Sequence, residues 1–323
     1  MTTLAITGIG GFIGLRMAER ARALGWTVRG LDVSAAGAER ASAAGAAVVV
    51  GDINDATALA AAFENADIVF HTAAIVEEDG ARELYERVNV QGTRSVAQAA
   101  KGAGARRLVH LSSVMVYGFD YADGVTEEGP FRDNGNIYNE TKYRSEREAL
   151  AFNGQDGFGV IVIRPGDVYG AGSQPWVLRP IELIRRGLFM LPDGGRGVIN
   201  HVHVDNLIDG VLLALQHDAI GEAFTISDGV ATPCSEFYRT HARIAGKPPV
   251  ATLPAWLLVP MIALLALACR LIGRKPPATP QAIRFLQRRG MYSIAKAQRQ
   301  LGYAPRIALA QGMAEIAAAS IPR

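Results

Sequence analysis

Cysteine is nearly absent. Only Cys234 and Cys269 occur in 323 residues, far apart, so neither a disulfide framework nor a zinc site can be built from them. A charge bias is missing too. The 33 Lys and Arg and 31 Asp and Glu are mixed along the chain and leave a net charge of +2, which excludes an electrostatic case for nucleic acid. Met1-Thr2-Thr3-Leu4-Ala5-Ile6 has no basic segment ahead of an apolar run. No secretory signal is read there, and a cytoplasmic location is expected. No repeat of fixed period occurs. His201 and His203 alternate on one predicted strand with no third ligand at suitable spacing, so no metal is expected.

What the chain does hold is apolar: 49 % hydrophobic against 20 % charged residues, a globular balance that excludes disorder. Short runs rich in Val, Ile or Leu predict strands at Leu4–Thr7, Thr27–Asp32, Ala46–Gly51, Asp67–Thr72, Arg107–Ser112 and Val160–Arg164. Between them lie Ala-rich stretches, Ile13–Leu24, Ala56–Asn65 and Leu84–Ala100, with apolar residues at helical spacing such as Ile13, Met17, Ala21 and Leu24. This alternation predicts right-handed βαβ crossovers and a doubly wound parallel sheet, an α/β fold of Rossmann type. Beyond Gly170 the pattern loosens. A helix is expected over Val177–Arg186, a strand over Asn200–Val204 and a helix over Leu207–Gln216, with Asp205 and Asn206 as its caps. Prolines then interrupt what reads as a smaller C-terminal lobe.

Thr7-Gly8-Ile9-Gly10-Gly11-Phe12-Ile13-Gly14 joins the first strand to the first helix. Gly8, Gly11 and Gly14 would allow a tight turn, close backbone approach to a pyrophosphate, and close helix–strand packing. The free amides at Phe12 and Ile13 would face the phosphates. Asp32 ends the second strand, 18 residues beyond Gly14. A carboxylate there accepts ribose hydroxyls and repels a 2′-phosphate, so NAD is expected ahead of NADP; Arg29 on the same strand is the one opposing feature. Asp52, with Ile53, reads either as a contact to the adenine or as a helix cap. Thr72, Ala73 and Ala74, after His71, are small enough for a cofactor to lie against the backbone. His71 itself reads as packing.

Tyr138 and Lys142 are four residues apart and would share one helix face. A phenol of pKa ~10 is a poor base at neutral pH. A neighbouring ammonium and a positive nicotinamide ring would favour its ionised form, letting Tyr138 exchange a proton with an alcohol or carbonyl. Lys142 could also hold the nicotinamide ribose. Ser113, ending the fifth strand, could hydrogen-bond the same substrate oxygen.

In this order the motifs resemble those of an extended short-chain dehydrogenase/reductase. So do Asn89-Val90-Gln91-Gly92-Thr93, Arg164-Pro165-Gly166-Asp167-Val168-Tyr169-Gly170, His203-Val204-Asp205-Asn206 and Leu301-Gly302-Tyr303-Ala304-Pro305. The resemblance implies a catalytic Ser113 with Ser112 as its supporting neighbour, and Pro165 beside the cofactor. It also implies an NAD-binding domain over 1–170 to which 200–225 return, and a substrate lobe over 171–199 and 226–323. Family members often dimerise through the helices after the fourth and fifth strands, so a homodimer is implied too.

Two features separate the branches of this family. Its nucleotide-sugar epimerases and dehydratases usually carry an arginine where this chain has Ile199, and an aliphatic side chain cannot pair with a diphosphate. Arg196 is near enough in sequence to replace it. Second, Pro248 to Cys269 is 22 residues without a charge, between Lys247 and the flanking Arg270, Arg274 and Lys275. Pro254 and Pro260 interrupt it, which argues against a span. A helix on a membrane surface over 253–272, a flank of an apolar substrate entrance, and a buried core helix all remain open. The 3β-hydroxysteroid dehydrogenase-like branch has a comparable segment, so the resemblance implies a sterol-like alcohol or ketone as substrate. Tyr169 and Trp176 are candidate substrate-lining residues alongside Ile199. Arg164 reads as structural or cofactor-side.

Overall fold

A computed structural model describes residues 1–76, 80–274 and 276–319; residues 77–79, Lys275 and residues 320–323 lie outside them. The chain begins β1 (Thr3–Thr7), α1 (Phe12–Ala23), β2 (Thr27–Asp32), α2 (Ala35–Ala43), β3 (Ala47–Val50), α3 (Ala56–Ala62), β4 (Ile68–His71). It continues α4 (Arg82–Tyr85), a π-type turn over Glu86–Gln91, α5 (Gly92–Gly102), β5 (Arg107–Leu111), α6 (Ile137–Leu150), β6 (Gly159–Pro165), β7 (Asp167–Tyr169). The second half holds α7 (Arg179–Arg185), β8 (Leu191–Pro192), β9 (Val198–Ile199), β10 (His201–His203), α8 (Val204–Gln216) and β11 (Ala223–Ile226). Then follow β12 (Thr232–Pro233), α9 (Cys234–Ile244), β13 (Thr252–Leu253), α10 (Ala255–Leu271), α11 (Pro280–Phe285), α12 (Ala295–Leu301) and α13 (Leu309–Ala319).

Seven parallel strands run in the order β11-β6-β5-β4-β1-β2-β3. Strand side chains alternate between faces, and both faces are apolar. Leu4 and Ile6 pack into a core with Met17, Val211 and Ile163, beneath α1 and α8. Ala5 points the other way, into a core with Leu59, Val96 and Val160, beneath α3 and α5. The chain winds outward from β1 through β2 and β3, then returns to start again at β4 on the other flank of β1. That reversal opens a crevice at the carboxyl ends of β1 and β4, the place where doubly wound sheets bind ligands.

A separate core, including Val177, Ile181, Leu191, Phe237 and Ile316, holds α7, α9 and α13 together outside the sheet. Two cap assignments differ from expectation. The α8 cap is His203, whose ring accepts from the Asp205 amide; Asp205 instead pairs with Arg16 and Arg20 of α1, and Asn206 bonds Asp228 and the Ile307 carbonyl. Asp55, not Asp52, caps α3.

Candidate active site

The crevice is floored by the glycine turn. Gly8 sits at φ +68°, and a Cβ on it would lie 3.0 Å from the Ala73 backbone, so the turn after β1 and the loop after β4 touch. Thr72 fastens that contact by donating its hydroxyl to the Thr7 carbonyl at 2.7 Å. Gly11 is the N-cap of α1 and offers no side-chain acceptor to the amides that follow. The first-turn N–H groups at Phe12 and Ile13, with the positive end of the helix dipole, are what a diphosphate requires. Gly14 lets the helix start pass over the turn: a Cβ there would stand 2.4 Å from the Gly8 carbonyl oxygen. Gly14→Ala must therefore push the turn open, at a cost of roughly 1–3 kcal/mol. Loss of NADH binding in a fluorescence titration is the expected result, and unchanged affinity would contradict this reading of the turn.

Asp32 stands at the rim of the crevice with one oxygen accepting the Gly10 amide at 2.8 Å and the other the Ser34 amide at 2.9 Å. A carboxylate has about four acceptor positions, so capacity remains for ribose hydroxyls. Arg29 is turned away, donating to the Ala61 carbonyl and pairing with Glu64 on the α3 side. Asp52 is ion-paired with Arg87 at 2.8 Å, and Ile53 is buried against Gly92. Gly8 and Gly14 thus bring the turn, the start of α1 and the Ala73 backbone close together at the carboxyl end of β1, with Asp32 bonded to the same turn through Gly10.

Ser113 and Tyr138 come from distant segments. Ser113 is the cap of the short helical turn that follows β5, its Oγ accepting from the Met115 amide at 3.1 Å. Tyr138 is in the first turn of α6, which Asn136 caps by accepting the Asn139 amide at 3.1 Å. The two hydroxyl-bearing side chains are neighbours in the folded chain. Burial pushes the Tyr138 phenol above its ordinary value, and the nearby Ser113 hydroxyl opposes this. Lys142 does not. Its Nζ donates to the Leu111 carbonyl at 2.6 Å, and burial lowers it to about 8, against the attraction of Glu146. The ammonium is directed at the backbone of β5, and desolvation governs both groups.

Lys142 has a consequence for stability. From about 8 up to the ordinary 10.5 the folded protein has released a proton that the unfolded chain still binds. Its contribution to stability therefore rises with pH through that window, and below it the full burial penalty is present. Comparing unfolding midpoints without cofactor, wild type should gain on Lys142→Met as pH rises through the window. A pH-independent difference would contradict the assignment.

Behind these residues lies a buried network that sequence reasoning missed. Arg164 of β6 forms a two-point pair with Glu146 of α6, Nε to Oε1 at 2.8 Å and Nη2 to Oε2 at 2.6 Å. It also donates to the Tyr117 hydroxyl and the Glu127 carbonyl. Ser112 Oγ donates to Glu146 Oε1 at 2.5 Å. Glu146 thus ties the Ser112-Ser113 turn to the helix bearing Tyr138 and Lys142. The available signal was position: Glu146 continues the Tyr138, Lys142 stripe one turn further. His71 is packing, held between the Thr7 and Thr93 hydroxyls at 2.7 and 2.9 Å and lowered to about 3 by burial and by Lys142.

A cleft of about 350 Å³ opens beside Asn136 and Ile137, just ahead of Tyr138, and is bounded by Arg82, Arg270, Thr279 and Pro280. The expected substrate residues are not on it. Tyr169 and Ile199 have no accessible surface and lie in the core of the smaller lobe, while Trp176 packs on Phe285, ring centroids 5.1 Å apart. Phe12 points toward Gly170, and Pro165 is buried at the end of β6 beside Ile226. Among the described residues no cluster of His, Cys, Asp or Glu could hold a metal.

A crevice of this kind, floored by three glycines and bordered by a Ser-Tyr-Lys set, defines an extended short-chain dehydrogenase/reductase. The chain belongs to the NAD dependent epimerase/dehydratase family, whose model matches residues 4–227. It is 31 % identical to a 3-beta-hydroxysteroid dehydrogenase of Mycolicibacterium neoaurum, over 96 % of this chain and 89 % of that protein. It is 30 % identical to a 4-hydroxy-2-methyl-3-oxo-4-farnesyl-3,4-dihydroquinoline-1-oxide ketoreductase of Stigmatella aurantiaca, over 95 % and 93 %. Among solved structures it matches DesIV, a dTDP-glucose 4,6-dehydratase of Streptomyces venezuelae crystallised with NAD, at 25 % identity and TM-score 0.78, covering 98 % of this chain and 96 % of that one.

Proposed function

We propose that the protein is an oxidoreductase interconverting a secondary alcohol and a ketone on a lipophilic, sterol-like substrate, with NAD preferred over NADP. The observation that carries the chemistry is that Ser113, after β5, and Tyr138, in the first turn of α6, come together close enough for the serine hydroxyl to act on the phenol: two hydroxyls so placed can meet one substrate oxygen. Bound in the glycine groove, NAD would take up or return the hydride. Ser113 orients the substrate oxygen and stabilises charge as it develops there. Tyr138 delivers a proton to that oxygen in reduction and removes it in oxidation. Lys142 has a proton near neutrality to exchange, and its Nζ is held in place by Leu111. The preference for NAD rests on Asp32 at the crevice rim and on Arg29 being occupied by α3.

Three things support the substrate class. Ile199 is aliphatic and wholly buried. Arg288 is buried in the smaller lobe and held by Asp167 at 2.6 Å, the Tyr292 hydroxyl and the Phe285 carbonyl, which turns it away from a diphosphate. The relatives named above act on a hydroxysteroid and on a farnesylated ketone. The fold neighbour's chemistry makes sugar nucleotides the competing reading. Parallel assays decide between them: a 3β-hydroxysteroid in detergent micelles with NAD should yield NADH, whereas dTDP- and UDP-glucose should be neither converted nor stabilising in thermal unfolding. Conversion of a sugar nucleotide would overturn the assignment.

A further inference from the structure

Two opposite charges converge on one residue of the glycine turn. Asp32 accepts the Gly10 amide at 2.8 Å, and Arg40 of α2 donates from Nη2 to the Gly10 carbonyl at 2.9 Å. The glycines bring them there. A Cβ on Gly10 would stand 2.3 Å from the Gly37 Cα, and a Cβ on Gly37 would stand 2.8 Å from Asp32 Oδ1, so α2 packs directly on the turn and the carboxylate. Arg40 is three residues beyond Gly37 and leaves α2 on that same face. Its guanidinium is thus anchored across a single residue from Asp32.

Arg40 is also uncommitted. Arg16, Arg20 and Arg29, on α1 and β2, are each paired with a carboxylate. Among the described residues no carboxylate pairs with Arg40, whose bond is to a backbone carbonyl and which is exposed at the rim of the crevice. A guanidinium so placed keeps its charge and its remaining donors for an anion. Ser34 stands beside it, two residues past the end of β2. Its Oγ accepts the Gly37 amide at 3.3 Å, so the hydroxyl proton remains available to an acceptor.

The groove determines which anion arrives. Asp32 stands where the adenosine ribose of a dinucleotide is expected, and an arginine near that ribose accommodates a 2′-phosphate. Asp32 repels such a phosphate and Arg40 attracts it, from opposite sides of Gly10. Both charges act over similar distances at an exposed rim, so the two effects offset each other.

We propose that the groove accepts NADP(H) as well as NAD(H), with Arg40 and the Ser34 hydroxyl holding the 2′-phosphate, so that Asp32 leaves NADH ahead by less than about tenfold. This rests on the dinucleotide reading of the glycine turn and not on the identity of the substrate.

The test is titration of the full chain with NADH and with NADPH, followed by nicotinamide fluorescence without any second substrate. Wild type should bind both, with dissociation constants within about tenfold of each other. Arg40→Gln can still donate to the Gly10 carbonyl but carries no charge. It should weaken NADPH by at least about tenfold and leave NADH within about twofold. Arg40→Lys should retain part of the NADPH affinity, because the charge remains and the planar fork is lost. Wild-type NADPH binding more than tenfold weaker than NADH binding overturns the proposal. Unchanged NADPH affinity in Arg40→Gln overturns it too, as does equal weakening of both nucleotides, which would make Arg40 a clamp on the turn alone. A protein that binds NADH and not NADPH refutes this proposal and leaves the glycine groove standing; one that binds neither refutes both.

Discussion

Tyr138→Phe should abolish turnover and leave NADH affinity within about twofold of wild type. The substitution removes one oxygen from a half-buried side chain beside Ser113. The glycine turn, Asp32 and the α1 amides are untouched by it. A positioned acid/base group contributes about 10²–10⁴-fold to such reactions, and the described titratable groups nearby do not replace it: Lys142 is fixed on the Leu111 carbonyl at 2.6 Å, and His71 and His110 are held uncharged by burial and by the Lys142 charge. Steady-state kinetics with a fluorescence titration of NADH separates the two effects. A variant that still turns over within tenfold of wild type would show that the proton travels by another group.

Glu146→Ala should produce the largest loss of stability. Arg164 and Glu146 have side chains only 5 % and 3 % exposed, and Lys142 is as deeply buried one turn away. Removing the carboxylate leaves the guanidinium and the ammonium in the interior without their anion. Breaking a buried pair from one side costs about 3–5 kcal/mol, which for a chain of this size is a fall in melting temperature on the order of 10 °C. Glu146→Gln keeps the shape and one acceptor and should cost less. Combining Glu146→Leu with Arg164→Met should recover part of the loss, since no unpaired charge then remains. A melting temperature within about 1 °C of wild type for the alanine variant would mean that Arg164 finds another partner.

The seven-stranded sheet was legible because its inner strands are buried on both faces. Runs such as residues 68–70 and 160–163 are apolar without interruption and buried, and the six predicted strands lie within about two residues of the observed ones. β11 was not named as a strand, since Ala223–Ile226 is short and sits where prolines begin to blur the pattern. The glycine turn, Ser113 and the Tyr138–Lys142 stripe were legible from local spacing. What could not be read was every property set by a residue far along the chain. Lys142 rests on a carbonyl 31 positions away, so its effect on Tyr138 depends on how α6 docks on β5. Asp205 had the right position for a cap, but α1 brings Arg16 and Arg20 to it. Tyr169 and Ile199 are ordinary candidates for a pocket until the core of the smaller lobe closes over them. Pro260 suggested an interrupted segment, yet α10 continues through it, with the missing amide on the side away from the Ile283 core.

The central claim is that this crevice moves hydrogen between a lipophilic carbinol and NAD with Tyr138 as the proton carrier. The most direct measurement uses a 3β-hydroxysteroid deuterated at the carbinol carbon, incubated with NAD and the protein in detergent micelles, with the nucleotide analysed by mass spectrometry. One deuterium should appear in the reduced nucleotide with wild type and none with Tyr138→Phe. Unlabelled nucleotide alongside steroid oxidation, or equal labelling by both proteins, would contradict the account.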